Sequence, residues 1–228
     1  MTARKQSKGT CSYCGNIYAK GGMKRHLDAC SARKEAIANA EASGRAPDSL
    51  IHLRVEDLWD TDFWLDLEIR ASATFEDLDY YLRAIWLECC GHLSEFKHSK
   101  GRSEEIPMSL PIGKGMSPSG DIIHIYDFGT SSETRIRGVN ARKGVPTTEH
   151  PIALMARNLL PEIPCRECER PATWLCMECI VEHDMQGTLC DKHVKTHPHQ
   201  DDYGAPIPIV NSPRVGMCGY TGPAEPPY

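Results

Sequence analysis

Between Cys165 and His199 the chain places Cys165-x2-Cys168, Cys176-x2-Cys179, Cys190-x2-His193, then His197 and His199, four donor pairs in 35 residues. No other stretch limits so tightly what the chain can fold into. Both members of a close pair can reach one point without a floppy loop between them. Sulfur and imidazole are the donors that a tetrahedral zinc ion takes four at a time, so eight suit two closed sites. Four disulfides are excluded by counting, because three of the eight donors are His. A ribbon this short folds around two ions as a cross-brace, with alternate pairs sharing an ion. One site would then be Cys165, Cys168, Cys190 and His193, and the other Cys176, Cys179, His197 and His199. His183, four residues after Cys179, either replaces His197 or His199 or lies on the surface. Cys218 lies far outside the array and reads as a small buried or lightly packed thiol.

This order of pairs resembles the B-box, RING and ZZ group of treble-clef zinc modules, over about 35 residues. All four ligands of each expected site come from protein, whereas a catalytic zinc keeps a position open for water. The count therefore points to a structural metal, which supplies folding free energy that so small a core lacks.

A second array opens the chain. Cys11-x2-Cys14 is followed by His26 and Cys30, which lie one turn apart on a helix and can reach the ion of the Cys11–Cys14 knuckle. Tyr18 and Met23 would fill the small core between hairpin and helix. This resembles the ββα zinc-finger family in a CCHC version, with an altered central spacer and Cys in the last position. The helix is expected from near Gly22 to about Ser43. Residues 1–45 carry a net charge of +6, against −7 for residues 46–164 and −4 for residues 165–228. If the chain meets nucleic acid, Lys20, Lys24, Arg25, Arg33 and Lys34 on this helix are the place. The competing reading is a solvated helix on a protein-binding finger.

Past a linker at Gly44 and Pro47, residues 46–145 read as a mixed domain. Ile51, Leu53 and Val55 alternate with polar residues, as do Phe63, Leu65, Leu67 and Ile69, which predicts two half-buried antiparallel strands. Thr74 caps a helix with Asp77 at its third position, and Phe75, Leu78, Leu82 and Ile85 share one face. Cys89 and Cys90 follow, expected as one buried and one near-surface thiol. A short strand at LSEFKH, a polar loop from Ser99 to Ser119, a strand through Ile122, His124 and Tyr126 and a return strand through Thr134 and Ile136 complete the pattern. His124 reads as one face of a sheet. The fold class is α+β: a central antiparallel-sheet roll with a packed helix, flanked by small zinc-stabilised modules. Residues 146–164 are expected to connect through a helix at Ile152–Leu160, and residues 205–228 form an extended tail with a frayed end.

The order strand, strand, Thr-Phe-x-Asp-Leu helix, His92-Leu93-Ser94-Glu95-Phe96 and Tyr126-Asp127-Phe128-Gly129 is similar to the plasmid pRiA4b ORF-3-like family. The likeness spans about 95 residues. It departs after the turn, where Thr130, Ser131 and Ser132 replace the acidic residue and Trp of that family. It implies a small α+β roll in a bacterial or plasmid-borne protein and says little of activity.

Eleven Cys in a chain with no visible export signal suggest a reducing, cytoplasmic setting and metal rather than disulfides. No apolar run is long enough to span a membrane. No triad, Cys-His, paired-carboxylate or phosphate-loop pattern is present, and no catalytic residue is assigned. The sequence therefore reads as a non-enzymatic zinc adaptor with about three zinc ions. Its partners would be nucleic acid at residues 1–45, or protein at the roll or the C-terminal module. The alternative is a metal-dependent hydrolase or nuclease using His183, His150 or His124. A ubiquitin-ligase-like scaffold rests on the RING likeness alone and does not fit a bacterial setting.

Overall fold

The structure, a computed structural model, describes residues 6–99, 104–116, 120–200 and 205–228. Its body is α+β and rests on a nine-stranded sheet. The strands are β1 (Lys8–Cys11), β2 (Ile17–Ala19), β3 (Asp48–Asp57), β4 (Trp64–Arg70), β5 (Ser94–His98), β6 (Glu105–Ile106), β7 (Asp121–Tyr126), β8 (Ser132–Gly144) and β9 (Ile152–Asn158). They lie in the order β2-β1-β9-β4-β3-β8-β7-β5-β6, and each neighbouring pair is antiparallel. Helices α1 (Lys20–Ala29) and α2 (Ser31–Glu41) precede β3. Helix α3 (Phe75–Leu82) runs into a π-helical turn at Arg83–Leu87, and α4 (Ile112–Gly115) is a single turn.

One face of the sheet follows directly from alternation. Ile51 pairs with Ile69, Leu53 with Leu67 and Val55 with Leu65, so six apolar side chains share a side. Phe75, Leu78, Leu82, Ile85 and Trp86 pack on it. The helix starts where Thr74 caps it: the Asp77 backbone N–H donates to the Thr74 hydroxyl at 3.2 Å, and the Thr74 N–H donates to the Asp77 carboxylate at 2.8 Å.

The other face departs from the half-buried strands expected. His52, Glu56, Asp66 and Glu68 are all buried. Helices α1 and α2 cover this face, and the carboxylates are paired. Asp66 accepts from Nε and Nη2 of Arg54 at 2.9 and 2.8 Å and meets His52 at 2.6 Å. Glu56 meets Lys20 at 2.7 Å, Arg135 at 2.9 Å and Arg137 at 2.6 Å. Glu68 meets Arg33 at 3.2 Å and Arg142 at 2.7 Å. Alternation looks the same whether the polar side meets water or another layer, so the pattern alone did not reveal the cover.

Three further expectations are corrected. The stretch from Ile152 is not a helix but strand β9, hydrogen-bonded to β4 on one side and β1 on the other. Its Ala, Leu and Met favour helix, but two sheet edges take up its backbone groups, and tertiary pairing overrides that preference. The long finger helix breaks at Cys30 (φ −58°, ψ 118°), which lets α2 turn along the sheet, where Glu41 accepts from the Val145 N–H at 2.9 Å. The tail is docked rather than frayed: Ala224 and Tyr220 are buried, and the Tyr228 ring stacks on His150 at 4.0 Å. Parts of the expected Ser99–Ser119 loop, along with residues 1–5 and 201–204, lie outside the described residues. What is described of the loop carries β6 and α4.

Beyond the sheet, β10 (Trp174–Leu175), α5 (Met177–Val181), β11 (Thr188–Leu189) and β12 (Ile207–Pro208) form a small separate layer in the strand order β11-β10-β12.

Burial alone would raise the Glu56 carboxyl, but Lys20, Arg135 and Arg137 outweigh it and hold it down to about 2. An unfolded Glu titrates near about 4.3, so this contribution is complete above that pH and is lost as pH falls towards about 2. Glu56→Gln should lower stability at pH 7 by about 3 kcal/mol, the scale for breaking a buried pair. The gap from wild type should shrink as pH drops from 5 to 3 in urea unfolding. A gap that is constant with pH would show that Glu56 carries no such linkage.

Candidate metal centres

Local backbone geometry presents each donor pair. In the finger, the Cys11 N–H donates to the Asn16 carbonyl at 3.0 Å and the Gly15 N–H to the Cys11 carbonyl at 2.9 Å. Gly15 takes φ +71°, a turn that glycine adopts freely. This knuckle faces α1, and Cys14 Sγ lies 3.4 Å from His26 Nε2. The Tyr18 ring stacks on the His26 ring at 3.8 Å and fixes its plane. Donor atoms of Cys11, Cys14, His26 and Cys30 all lie within 4.8 Å of one another. Met23 and Leu27 bury beside them against Trp64 and Met155 of the sheet.

The C-terminal donors gather into two groups. Cys165, Cys168, Cys190 and His193 form one, with Cys165 Sγ 3.4 Å from His193 Nδ1 and Cys168 Sγ 3.9 Å from Cys190 Sγ. Cys176, Cys179, His197 and His199 form the other, with Cys176 to His199 at 3.3 Å and Cys179 to His197 at 3.4 Å. A tetrahedron with zinc bonds of about 2.0–2.3 Å has edges of about 3.3–3.8 Å, so these spacings fit one ion per group. Cys176 also caps α5, with its sulfur accepting the Cys179 N–H at 3.5 Å. The apolar cluster here is only Cys176, Cys179 and Leu189, with Trp174 and Val194 beside it. Two of its three buried members are themselves ligand candidates, so little remains to hold the module without an ion.

The donors differ in how readily they lose a proton, and burial raises the Cys179 thiol. The backbone N–H of His193 pulls the Cys190 thiol down to about 7, and that of Asn16 lowers Cys14. Burial lowers His26 and His197, which favours the neutral imidazole that binds metal. Burial also pushes Cys11 up to about 11. That thiol therefore loses its proton to solvent readily only when a cation sits beside it and stabilises the thiolate.

His183 is exposed and outside the second group. With Glu178 it forms a trio around His199. His199 turns Nδ1 to the two sulfurs and Nε2 towards Glu178 at 3.5 Å, the arrangement by which a carboxylate orients a metal-bound imidazole. The other His residues considered for chemistry are scattered. His124 is buried and meets Asp79 at 2.7 Å, while His150 stacks on the C-terminal Tyr228.

A fourth Cys/His group escaped the sequence reading: Cys89, Cys90, His92 and Cys218. The expectation that Cys218 is a packed thiol is overturned, since it is exposed and faces His92 at 3.6 Å. Cys89 and Cys90 are half-buried and exposed respectively. The visible signal was the Cys-Cys-x-His run, but its completion lies 126 residues away in His92–Cys218 spacing.

No family model and no curated protein matches the chain. Among solved structures, a crystal structure of a protein of unknown function from Methanosarcina mazei Go1 aligns at 17% identity with a TM-score of 0.40. The alignment covers 46% of this chain and 66% of that one, just under two thirds of its length. No helix among the described residues is long and apolar enough to cross a membrane.

Chelation under reducing conditions should unfold the C-terminal layer and leave the central sheet folded. Amide protection in α5 and β10 is expected to fall by about two orders of magnitude or more, because structural zinc contributes on the order of 10 kcal/mol to such modules. Protection in β3, β4 and β8 should persist. Hydrogen exchange with and without chelator checks this, and equal loss in both layers would contradict it.

Proposed function

We propose that the chain is a non-enzymatic zinc-binding adaptor that joins macromolecular partners through its metal-stabilised modules. The observation that carries the reading is closure. In three groups, four protein side chains converge on one point, leaving no position for water or substrate. The plasmid or mobile-element setting implied by the pRiA4b ORF-3-like resemblance belongs to this proposal.

The partner is weighted towards protein. Of the finger cations, Lys20 and Arg33 are spent on Glu56 and Glu68 of the sheet, and Lys24 meets Asp28 at 2.8 Å. Helix α5, by contrast, leaves Ile180 and Val181 exposed, and Met185 is exposed shortly after it. Apolar side chains beside a rigid metal site are a ready surface for a protein partner.

The alternative, a metal-dependent hydrolase or nuclease, would use the trio Glu178, His183 and His199, the one three-donor group found among the described residues. His183→Ala separates the two readings: the adaptor expects an unchanged zinc content, and an open site loses an ion.

Two measurements test the proposal. Metal analysis of reduced protein should find at least three zinc ions per chain, and a value near one refutes the closed sites. Binding to duplex DNA should be weak, with a slope of log affinity against log salt no steeper than about −2.7, at about −0.9 for each of Lys24, Arg25 and Lys34. A much steeper slope would show the finger leaving the sheet to meet phosphates, which would return the weight to nucleic acid.

A further inference from the structure

We propose that Cys89, Cys90, His92 and Cys218 form a fourth, solvent-accessible site for a zinc-class ion, and that the ion clamps the C-terminal tail to the roll. The proposal is independent of the adaptor reading.

The donor set is three thiols and one imidazole, a combination that zinc takes in closed structural sites. Cys89 Sγ lies 3.5 Å from Cys90 Sγ, Cys90 Sγ 2.9 Å from His92 Nε2, and His92 Nε2 3.6 Å from Cys218 Sγ. All four donor atoms lie within 4.8 Å of one another. Two independent structural features aim them. Tyr126 receives the N–H groups of Cys89 at 3.4 Å and His92 at 3.3 Å on its hydroxyl, which folds the Cys-Cys-x-His run around one point. On the tail side, Gly216 and Gly219 take φ +85° and +70°, and Cys218 itself takes φ 49°, a left-handed conformation uncommon for a residue with a side chain. That turn carries the Cys218 sulfur to His92.

The surroundings suit an anionic thiolate cluster. Arg214 is wholly buried. One of its nitrogens donates to Cys89 Sγ at 3.4 Å, to Cys218 Sγ at 3.7 Å and to the Asp127 carboxylate at 2.6 Å. Its other terminal nitrogen donates to the Thr130 carbonyl and the Ser132 hydroxyl, both at 2.9 Å. Three thiolates around a divalent ion carry one net negative charge, and N–H donors held rigidly to the sulfurs stabilise it. Asp127 also lies 3.5 Å from His92 Nε2.

The site differs from the other three in access. Cys90 and Cys218 are exposed, whereas each closed group has at least two buried donors. The fourth ion should therefore exchange first. Because one ligand comes from the tail and three from the roll, losing the ion removes one anchor of the tail and loosens the turn around Cys218.

The test uses the full chain and zinc itself as probe. Reduced wild type should carry four zinc ions, with one released by a chromogenic chelator at least tenfold faster than the rest. Cys218→Ser and Cys90→Ser should each carry three, and their tails should be cut by protease about tenfold faster. The same cleavage should follow removal of the first ion from wild type. Three retained ions separate this result from a failure of the closed sites. Where a variant does not fold, cobalt on wild type decides. The fourth equivalent should give a thiolate-to-cobalt charge-transfer band that prior alkylation of Cys90 abolishes. Wild type with only three ions and freely alkylated Cys89, Cys90 and Cys218 would overturn the proposal. So would a Cys89–Cys90 disulfide as the main form of freshly purified protein.

Discussion

The central sheet buries carboxylates, and the rest of the body is arranged to answer them. Asp66, Glu56 and Glu68 stand on one face of β3 and β4; Arg54 and His52 meet the first, and two or three cations meet each of the others. An unpaired buried charge costs several kcal/mol, so the face needs both a cover and counter-charges. Helices α1 and α2 supply the cover, with Lys20 and Arg33 as part of the counter-charge. The finger is thereby a layer of the fold as well as a candidate metal centre. Its first strand joins the sheet through β9, and Gly9 sits so close to the Trp64 ring that a Cβ there would overlap it. Tied down in this way, the finger keeps Lys20 and Arg33 in buried ion pairs with the sheet.

The metal groups differ in how much they depend on their ions. The finger shares Trp64, Met155 and Ala156 with the sheet, so its core is partly borrowed from a larger one. The C-terminal layer has a smaller core of its own, and its strands are two residues each. Short strands with a three-residue apolar cluster fall well below what burial alone can stabilise. An ion would be a refinement in the first case and close to a condition for folding in the second.

How much of this was legible in the sequence depends on range. Donor pairs two residues apart, the Thr74–Asp77 cap and the apolar alternation of β3, β4 and β7 are local patterns, and local patterns can be read. Three features were not local. The segment Ile152–Asn158 is made of helix formers and becomes a strand only because two edges wait for it. The polar side of β3 looks solvated until α1 and α2 are laid on it. Cys218 becomes a candidate ligand only when a bent tail returns to a helix end far back in the chain. Cys30 is an intermediate case: its spacing from His26 was readable as a helical turn, but the break that redirects α2 was not.

The tail shows why such long-range features matter for function. Asn211 exchanges side-chain and backbone hydrogen bonds with Asn158 at 2.8 and 2.9 Å, and the Ser212 hydroxyl donates to the Trp86 carbonyl at 2.6 Å, in the π-helical turn. Arg214 then enters the core beside Asp127. Strand β12 of the same tail ends at Pro208 and pairs with β10 in the C-terminal layer. From Pro208 to Asn211 the chain can span at most about 10 Å. The other link, from the end of β9 at Asn158 to Cys165, starts from the same anchored Asn158. Two short tethers leaving one fixed point hold the C-terminal layer near the β9 end of the sheet. Under the adaptor proposal, a partner docked on α5 would be presented at a set place relative to the finger, which is the geometric requirement an adaptor has to meet.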